Sequence, residues 1–160
     1  MKLKYLLLLA LFALLSCSKD DDNSKQAPDP YILEAIIGSW AYDTVAVNGT
    51  LFLYEHTDGC NKDLFQFYNE EGKEFDFEED YVLNCDNCAD CAIASTNLKW
   101  DLYGDTIDLY FGEQLVTTLE ILEVDETIIR YKRFYDFDQD GIEDVLEVTG
   151  IPYDPNDEFN

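Results

Sequence analysis

Asn97-Leu98-Lys99-Trp100-Asp101-Leu102-Tyr103-Gly104-Asp105-Thr106-Ile107-Asp108-Leu109-Tyr110-Phe111 is the stretch whose reading decides the fold. Side chains alternate across an extended strand. Leu98, Trp100 and Leu102 therefore share one face, and Lys99 and Asp101 the other. After Gly104-Asp105 the alternation restarts, with Ile107, Leu109 and Phe111 opposite Asp108 and Tyr110. Two period-two runs around a Gly-Asp pair predict a β-hairpin with one buried face. The same pattern extends in both directions, with Phe75 and Phe77 alternating against Asp76 and Glu78. Strands are expected at 39–47, 51–55, 64–68, 73–83, 97–103, 106–111, 114–122, 127–135 and 142–149. Turn chemistry separates them at Asn48-Gly49, Asn69-Glu70-Glu71-Gly72, Gly112-Glu113 and Val124-Asp125-Glu126. Helical spacing occurs at Ile32, Ala35 and Ile36, in a short Tyr31–Ile37 segment stopped by Gly38. Eight or nine short strands without a second helix predict an all-β, antiparallel up-and-down meander closed into a barrel or sandwich. Closure removes bare sheet edges.

Composition excludes some partners. The chain carries 10 Lys+Arg against 35 Asp+Glu, a formal net charge of −25. Such a surface repels nucleic acid and anionic membrane, so no nucleic-acid partner is expected. High charge also accompanies disorder, but 14% aromatic residues supply a core. The N-terminus sets the compartment. Lys2 and Lys4 precede an apolar run from Leu6 to Leu15, then Ser16-Cys17. The run is too short to span a bilayer as a mature helix and has the build of a secretory signal peptide. An ordinary signal with a chance Cys, or an N-terminal anchor, are the plainer readings. Residues 17–30 are polar and hold nothing that packs, as in a flexible tether.

Leu14-Leu15-Ser16-Cys17 resembles the lipobox of bacterial lipoproteins. That resemblance implies a signal peptide over 1–16, cleavage before Cys17 and lipidation of its thiol. The acidic run Lys19-Asp20-Asp21-Asp22 behind it resembles the lipoprotein export signal of one large group of Gram-negative bacteria. It implies an outer-membrane lipoprotein at the cell surface, with a periplasm-facing placement or a plain linker as the alternatives. The order of later features is similar to bacterial lipocalin-like domains. A short helix runs into Gly38-Ser39-Trp40, Cys60 precedes Phe65 and Phe67, a later Cys precedes Leu98-Lys99-Trp100, and Thr118–Leu122 comes before a turn and another strand. This resemblance covers about residues 31–135 and implies an up-and-down lipocalin-like barrel with Trp40 plugging the closed end. The segment after 135 departs from it by adding a charged loop, and the domain is expected to span 31–150 with an acidic tail at 151–160. Tyr31, Trp40, Tyr42, Trp100 and Tyr103 are candidates for lining a pocket, Trp40 and Trp100 first among them. Packing by Trp40, Trp100, Phe65, Phe67 and Phe111 would leave no cavity.

Beyond Cys17, four cysteines remain: Cys60, Cys85, Cys88 and Cys91. Four thiolates suit zinc, and a Cys-x-x-Cys suits a redox dithiol. An exported compartment disfavours reduced zinc ligands, and Asp86 and Asp90 would raise the thiol pKa. An even count outside the cytoplasm favours two disulfides, one joining Cys60 to the 85–91 cluster and worth up to about 3 kcal/mol. The lipocalin-like resemblance implies Cys60–Cys85 and Cys88–Cys91. His56 reads as a loop residue.

Asp136-Phe137-Asp138-Gln139-Asp140-Gly141-Ile142-Glu143-Asp144, with Glu147 beyond, fits the spacing of a calcium loop. Alternating Asp residues aim carboxylates at one centre, Gly141 permits the sharp turn, and the Ile142 carbonyl adds a ligand. The flanks are strand-like, so the segment resembles the Asp-rich calcium loops of extracellular β proteins, closed by Asp144 or Glu147. A solvated hairpin turn is the plainer reading.

No catalytic constellation stands out. With His56 as the single His there is no Ser-His-Asp set, and the chain has no H-E-x-x-H and no phosphate-cradling loop. Paired carboxylates are everywhere in so acidic a chain and select no pair. The expectation is therefore a non-enzymatic lipoprotein holding a small apolar ligand or serving as an accessory module. The alternative is a calcium-stabilised interaction or adhesion module with a filled barrel.

Overall fold

The computed structural model describes residues 26–70, 74–83 and 89–154. The signal segment, Cys17, the Asp20–Asp22 run, Cys85, Cys88 and residues 155–160 lie outside these. Among the described residues, one helix precedes nine strands. They are α1 (Pro30–Ala35), β1 (Gly38–Val47), β2 (Thr50–Leu53), β3 (Leu64–Phe67), β4 (Phe77–Val82), β5 (Ile93–Tyr103), β6 (Thr106–Phe111), β7 (Gln114–Val124), β8 (Ile129–Tyr135) and β9 (Asp144–Pro152). Every pairing is antiparallel, and β1 pairs with both β3 and β9. Eight strands therefore close into an all-β up-and-down barrel, with β2 as an extra strand on β1.

The diagnostic hairpin has the register its alternation requires, with Trp100 opposite Leu109 and Leu102 opposite Ile107. β1 serves three neighbours, with β9 along one edge, where the register shifts between Tyr42 and Thr44, and β3 and β2 in succession along the other. Below the shift it pairs with β3 through Gly38–Ala41, and above it with β2 through Thr44–Val47. At the gap between β3 and β2, loop groups stand in for a neighbouring strand. Tyr42 N donates to Asp63 O, and Tyr54 N donates to Asp43 O. Asp63 N donates to His56 Nδ1, which leaves the His56 proton on Nε2 to bond Tyr42 O at 2.8 Å. His56 is thus a structural clip.

The helix end of the barrel is sealed. Asp29 caps α1 through Tyr31 N, and Pro30 occupies its first turn, where a missing N–H costs nothing. Trp40 is buried, and its indole N–H donates to Ile36 O at 3.0 Å. The segment before α1 is tied to the β5–β6 turn by Asp29 N to Gly104 O and Gly104 N to Ala27 O. Inside, Phe65 and Phe67 are fully buried, and Phe65 meets Tyr131 edge-on at 5.5 Å between ring centres. Gly150 makes room for them, since a Cβ there would lie 2.8 Å from Phe65 Cζ. This part of the barrel is filled by side chains.

Several expectations are corrected. Phe111 is 63% exposed and stacks on Phe75, so it does not help fill the barrel. It is the last residue of β6, beside the Gly112 turn. Trp100 is only partly buried, at the edge of the core, where it meets Phe67 edge-on and donates its indole N–H to Tyr68 O. β4 starts at Phe77, β5 begins at Ile93, and β9 runs on to Pro152, past the expected edge of the domain at 150.

Candidate functional site

At the end of the barrel opposite α1, five connections meet: β1–β2, β2–β3, β4–β5, β6–β7 and β8–β9. Cross-strand partners share a face of the sheet. Ala94 is paired with Tyr81, Thr96 with Glu79, and Phe52 with Val45, which is itself paired with inward-facing Val148. Ala94 and Thr96 therefore face the barrel interior, and Phe52 lies on the continuation of that face along the extra strand β2, yet all three are exposed. Tyr135, two residues beyond inward-facing Arg133, is also exposed. Inward-facing side chains that meet water mark an open mouth.

A polar cluster contributed by three strands forms the floor. Tyr42 of β1 and Tyr81 of β4 both donate to Glu79 Oε1, the latter at 2.6 Å, and the two hydroxyls lie 2.9 Å apart. Arg133 of β8 reaches across to the same oxygen through Nη1 at 3.5 Å. The contact joins strands that are not neighbours, which places it inside the barrel. Burial first, then Tyr131 and Glu79, pushes the Tyr42 phenol well above its ordinary range. Burial and the Glu79 carboxylate raise Tyr81 likewise. Both phenols therefore stay protonated and donate. Tyr54 stacks on Tyr42 at 4.9 Å and bonds the buried Asp63, whose other oxygen accepts from Val82 N. Arg133 Nε is buried and has no hydrogen-bond partner among the described residues.

The mouth loops are tied together in pairs. Cys60 and Cys91 form a disulfide that joins the β2–β3 and β4–β5 loops. This corrects the Cys60–Cys85 pairing, and with it Cys88–Cys91. Spacing along the chain placed one partner within a seven-residue cluster, and the turn of the β4–β5 loop selects Cys91, which sits at φ 56°. A zinc site using all four thiols is excluded, because two of the sulfurs are bonded to each other. Elsewhere on the rim, Asn48 Nδ2 donates to Asp144 Oδ1 and Asn48 Oδ1 accepts from Val145 N. The β1–β2 turn is thereby fixed to the start of β9.

The acidic loop, 136–143, spans β8 and β9 on this rim. Its backbone is wrapped around its own carboxylates. Gly141 N donates to Asp136 Oδ2, Asp140 N to Asp138 Oδ1, Ile142 N to Asp140 Oδ1 and Phe137 N to Asp144 Oδ2. Gln139 and Gly141 take positive φ, at 61° and 88°. Carboxylate oxygens of Asp136, Asp138 and Asp144 lie within 4.8 Å of one another. Asp140 is not in that group, since its carboxylate caps Ile142. Glu147 is not in it either: it points from β9 toward Lys132 and Arg130 as an ion pair. Among the described residues Asp136 Oδ1 is buried without a hydrogen-bond partner, so the donor set and this unmet buried oxygen fit a hard cation.

The period-two pattern of β4 and β8 places Glu79 and Arg133 on inner faces, but no local signal says that they meet. Compared with known proteins, the chain matches no protein family, no curated protein and no solved structure.

Proposed function

We propose that the protein is a surface-anchored bacterial lipoprotein whose barrel binds a small, largely apolar ligand at its mouth and does no chemistry on it. The observation that carries this reading is the set of solvent-exposed Phe52, Ala94 and Tyr135, on the inner face and its continuation, above a packed floor. A group of exposed apolar side chains gathered at one opening is more informative than the same residues scattered singly over a surface. The filled half supplies rigidity, and the sealed helix end leaves the mouth as the route in. Ligand sites commonly combine apolar surface with a few placed polar groups, and Phe52, Ala94 and Tyr135 beside Glu79 and Arg133 offer that combination. The reading is tested by titrating the full chain with an uncharged apolar fluorophore such as N-phenylnaphthylamine. Saturable binding with unit stoichiometry is expected, and absence of saturable binding rejects it.

The lipid on Cys17 would hold this barrel at the outer membrane, and the polar tether over 17–30 would set its reach. Such a tether has no membrane affinity of its own. Cys17→Ala should therefore move the protein from the membrane fraction to the soluble one, and continued membrane association contradicts the anchor.

The convergence of Asp136, Asp138 and Asp144 around an unmet Asp136 oxygen favours a second reading. In it, calcium holds the β8–β9 loop and the barrel is a calcium-stabilised interaction module. The two readings are compatible, because the loop lies on the rim and not in the floor.

A further inference from the structure

An arginine inside a barrel is costly unless its donors are met. Arg133 presents five N–H donors. Among the described residues its hydrogen bonding runs through Nη1, in one long contact of 3.5 Å, and Nε is buried with no acceptor. Glu79 is lopsided in the opposite sense. Tyr42, Tyr81 and Arg133 all bond Oε1, and Oε2 accepts nothing among the described residues. The two side chains are 26% and 13% exposed, so the pair meets the mouth without being open to bulk water. Spare donors thus stand beside a spare acceptor, and the charges of the pair cancel.

We propose that this Glu79–Arg133 pair anchors the polar head of the mouth ligand, and that the head is uncharged and both accepts and donates, as a primary amide or hydroxyl does. Its oxygen accepts from the outer edge of the Arg133 guanidinium, and its N–H or O–H donates to Glu79 Oε2. The apolar body then lies along Val45, Phe52 and Ala94 toward the rim. A carboxylate head would satisfy Arg133 but set a second negative charge beside Glu79 in a chain of net charge −25. An ammonium head would satisfy Glu79 but face Arg133. The inference rests on the reading of the mouth as the binding site and adds the ligand's head chemistry to it.

Three compounds of eight carbons, differing in the head, separate the alternatives: octanamide, octanoate and octylammonium. Each is titrated into the full chain by displacement of N-phenylnaphthylamine, with the guanidinium N–H resonance of Arg133 followed by NMR. Octanamide should bind about tenfold tighter than either ion, the worth of a hydrogen bond to a charged group, and should shift the Arg133 resonance. Glu79→Gln leaves Arg133 uncompensated, so preference should pass to octanoate. If Glu79→Gln fails to fold by circular dichroism, Arg133→Lys preserves the charge balance but loses the planar fork, and octanamide should weaken by about tenfold. Equal binding of all three compounds overturns the head anchor while leaving the mouth as a binding site. Octanoate binding tightest to the wild-type chain overturns the uncharged head. Failure of every compound and of the fluorophore removes both readings.

Discussion

At the level of single residues, the barrel interior is divided by what each side chain needs. Gly150 is small because the Phe65 ring occupies the space of its missing Cβ. Gly150→Ala should therefore disturb the packed half, where the floor of the mouth rests. The tyrosines above it have a different constraint. Tyr42 and Tyr131 are 3% and 2% exposed, and burial is the leading cause that raises both phenols above their ordinary range. In the unfolded chain such a phenol ionises near pH 10. Between that pH and the higher folded value only the unfolded chain loses the proton, so deprotonation favours unfolding. Stability is then full below about pH 10 and falls above it by about 1.4 kcal/mol per pH unit for each such phenol. Urea unfolding measured from neutral to alkaline pH should show this steepening. Tyr131→Phe should remove one phenol's share of the slope. A profile that stays flat above pH 10 in the wild-type chain contradicts the buried, protonated cluster.

At the level of elements, the hairpins were legible in the sequence wherever one face is dry and the other wet. β5 and β6 from Leu98 to Leu109 meet that condition, and their register follows from the alternation alone. The first residues of β5 do not meet it. Ala94, Ser95 and Thr96 are wet on both sides because the inner face opens into the mouth, so no apolar period marks them. The missed start of β5 and the open site thus have one physical cause. The Glu79–Arg133 pair was unreadable for another reason, since a contact between β4 and β8 depends on barrel closure and shear. Calcium would act on the β8–β9 hairpin. Without a cation, the carboxylates of Asp136, Asp138 and Asp144 crowd together. With calcium tenfold above its Kd, linkage adds about 1.4 kcal/mol to stability, a melting rise of a few degrees. Melting curves in millimolar calcium and in chelator should differ for the wild-type chain. Asp138→Asn keeps an oxygen to accept from Asp140 N but removes a charge, and should abolish the difference. Identical wild-type curves would reduce the loop to an acidic turn.

At the level of the molecule, one end of the barrel is closed by α1 and Trp40, and the other is framed by loops held in place. The Cys60–Cys91 bond spans 31 residues, and in the loop-entropy picture contributes about 3–4 kcal/mol while fixing two sides of the mouth. Asn48 fixes a third side to Asp144. This framing keeps the opening formed without a ligand, which lowers the ordering cost of binding. The net charge of −25 keeps the surface hydrated and turns away anionic partners, so a ligand of low charge is the one that suits both the surface and the balanced floor. The central claim is the place of binding, and the most direct measurement is an NMR titration of the full chain with N-phenylnaphthylamine, read residue by residue. The shifts should concentrate at Val45, Phe52, Ala94, Thr96 and Tyr135 and reach the floor at Tyr81, while Trp40 and Ile36 stay still. Shifts centred on α1 and Trp40, or none at all, would contradict it.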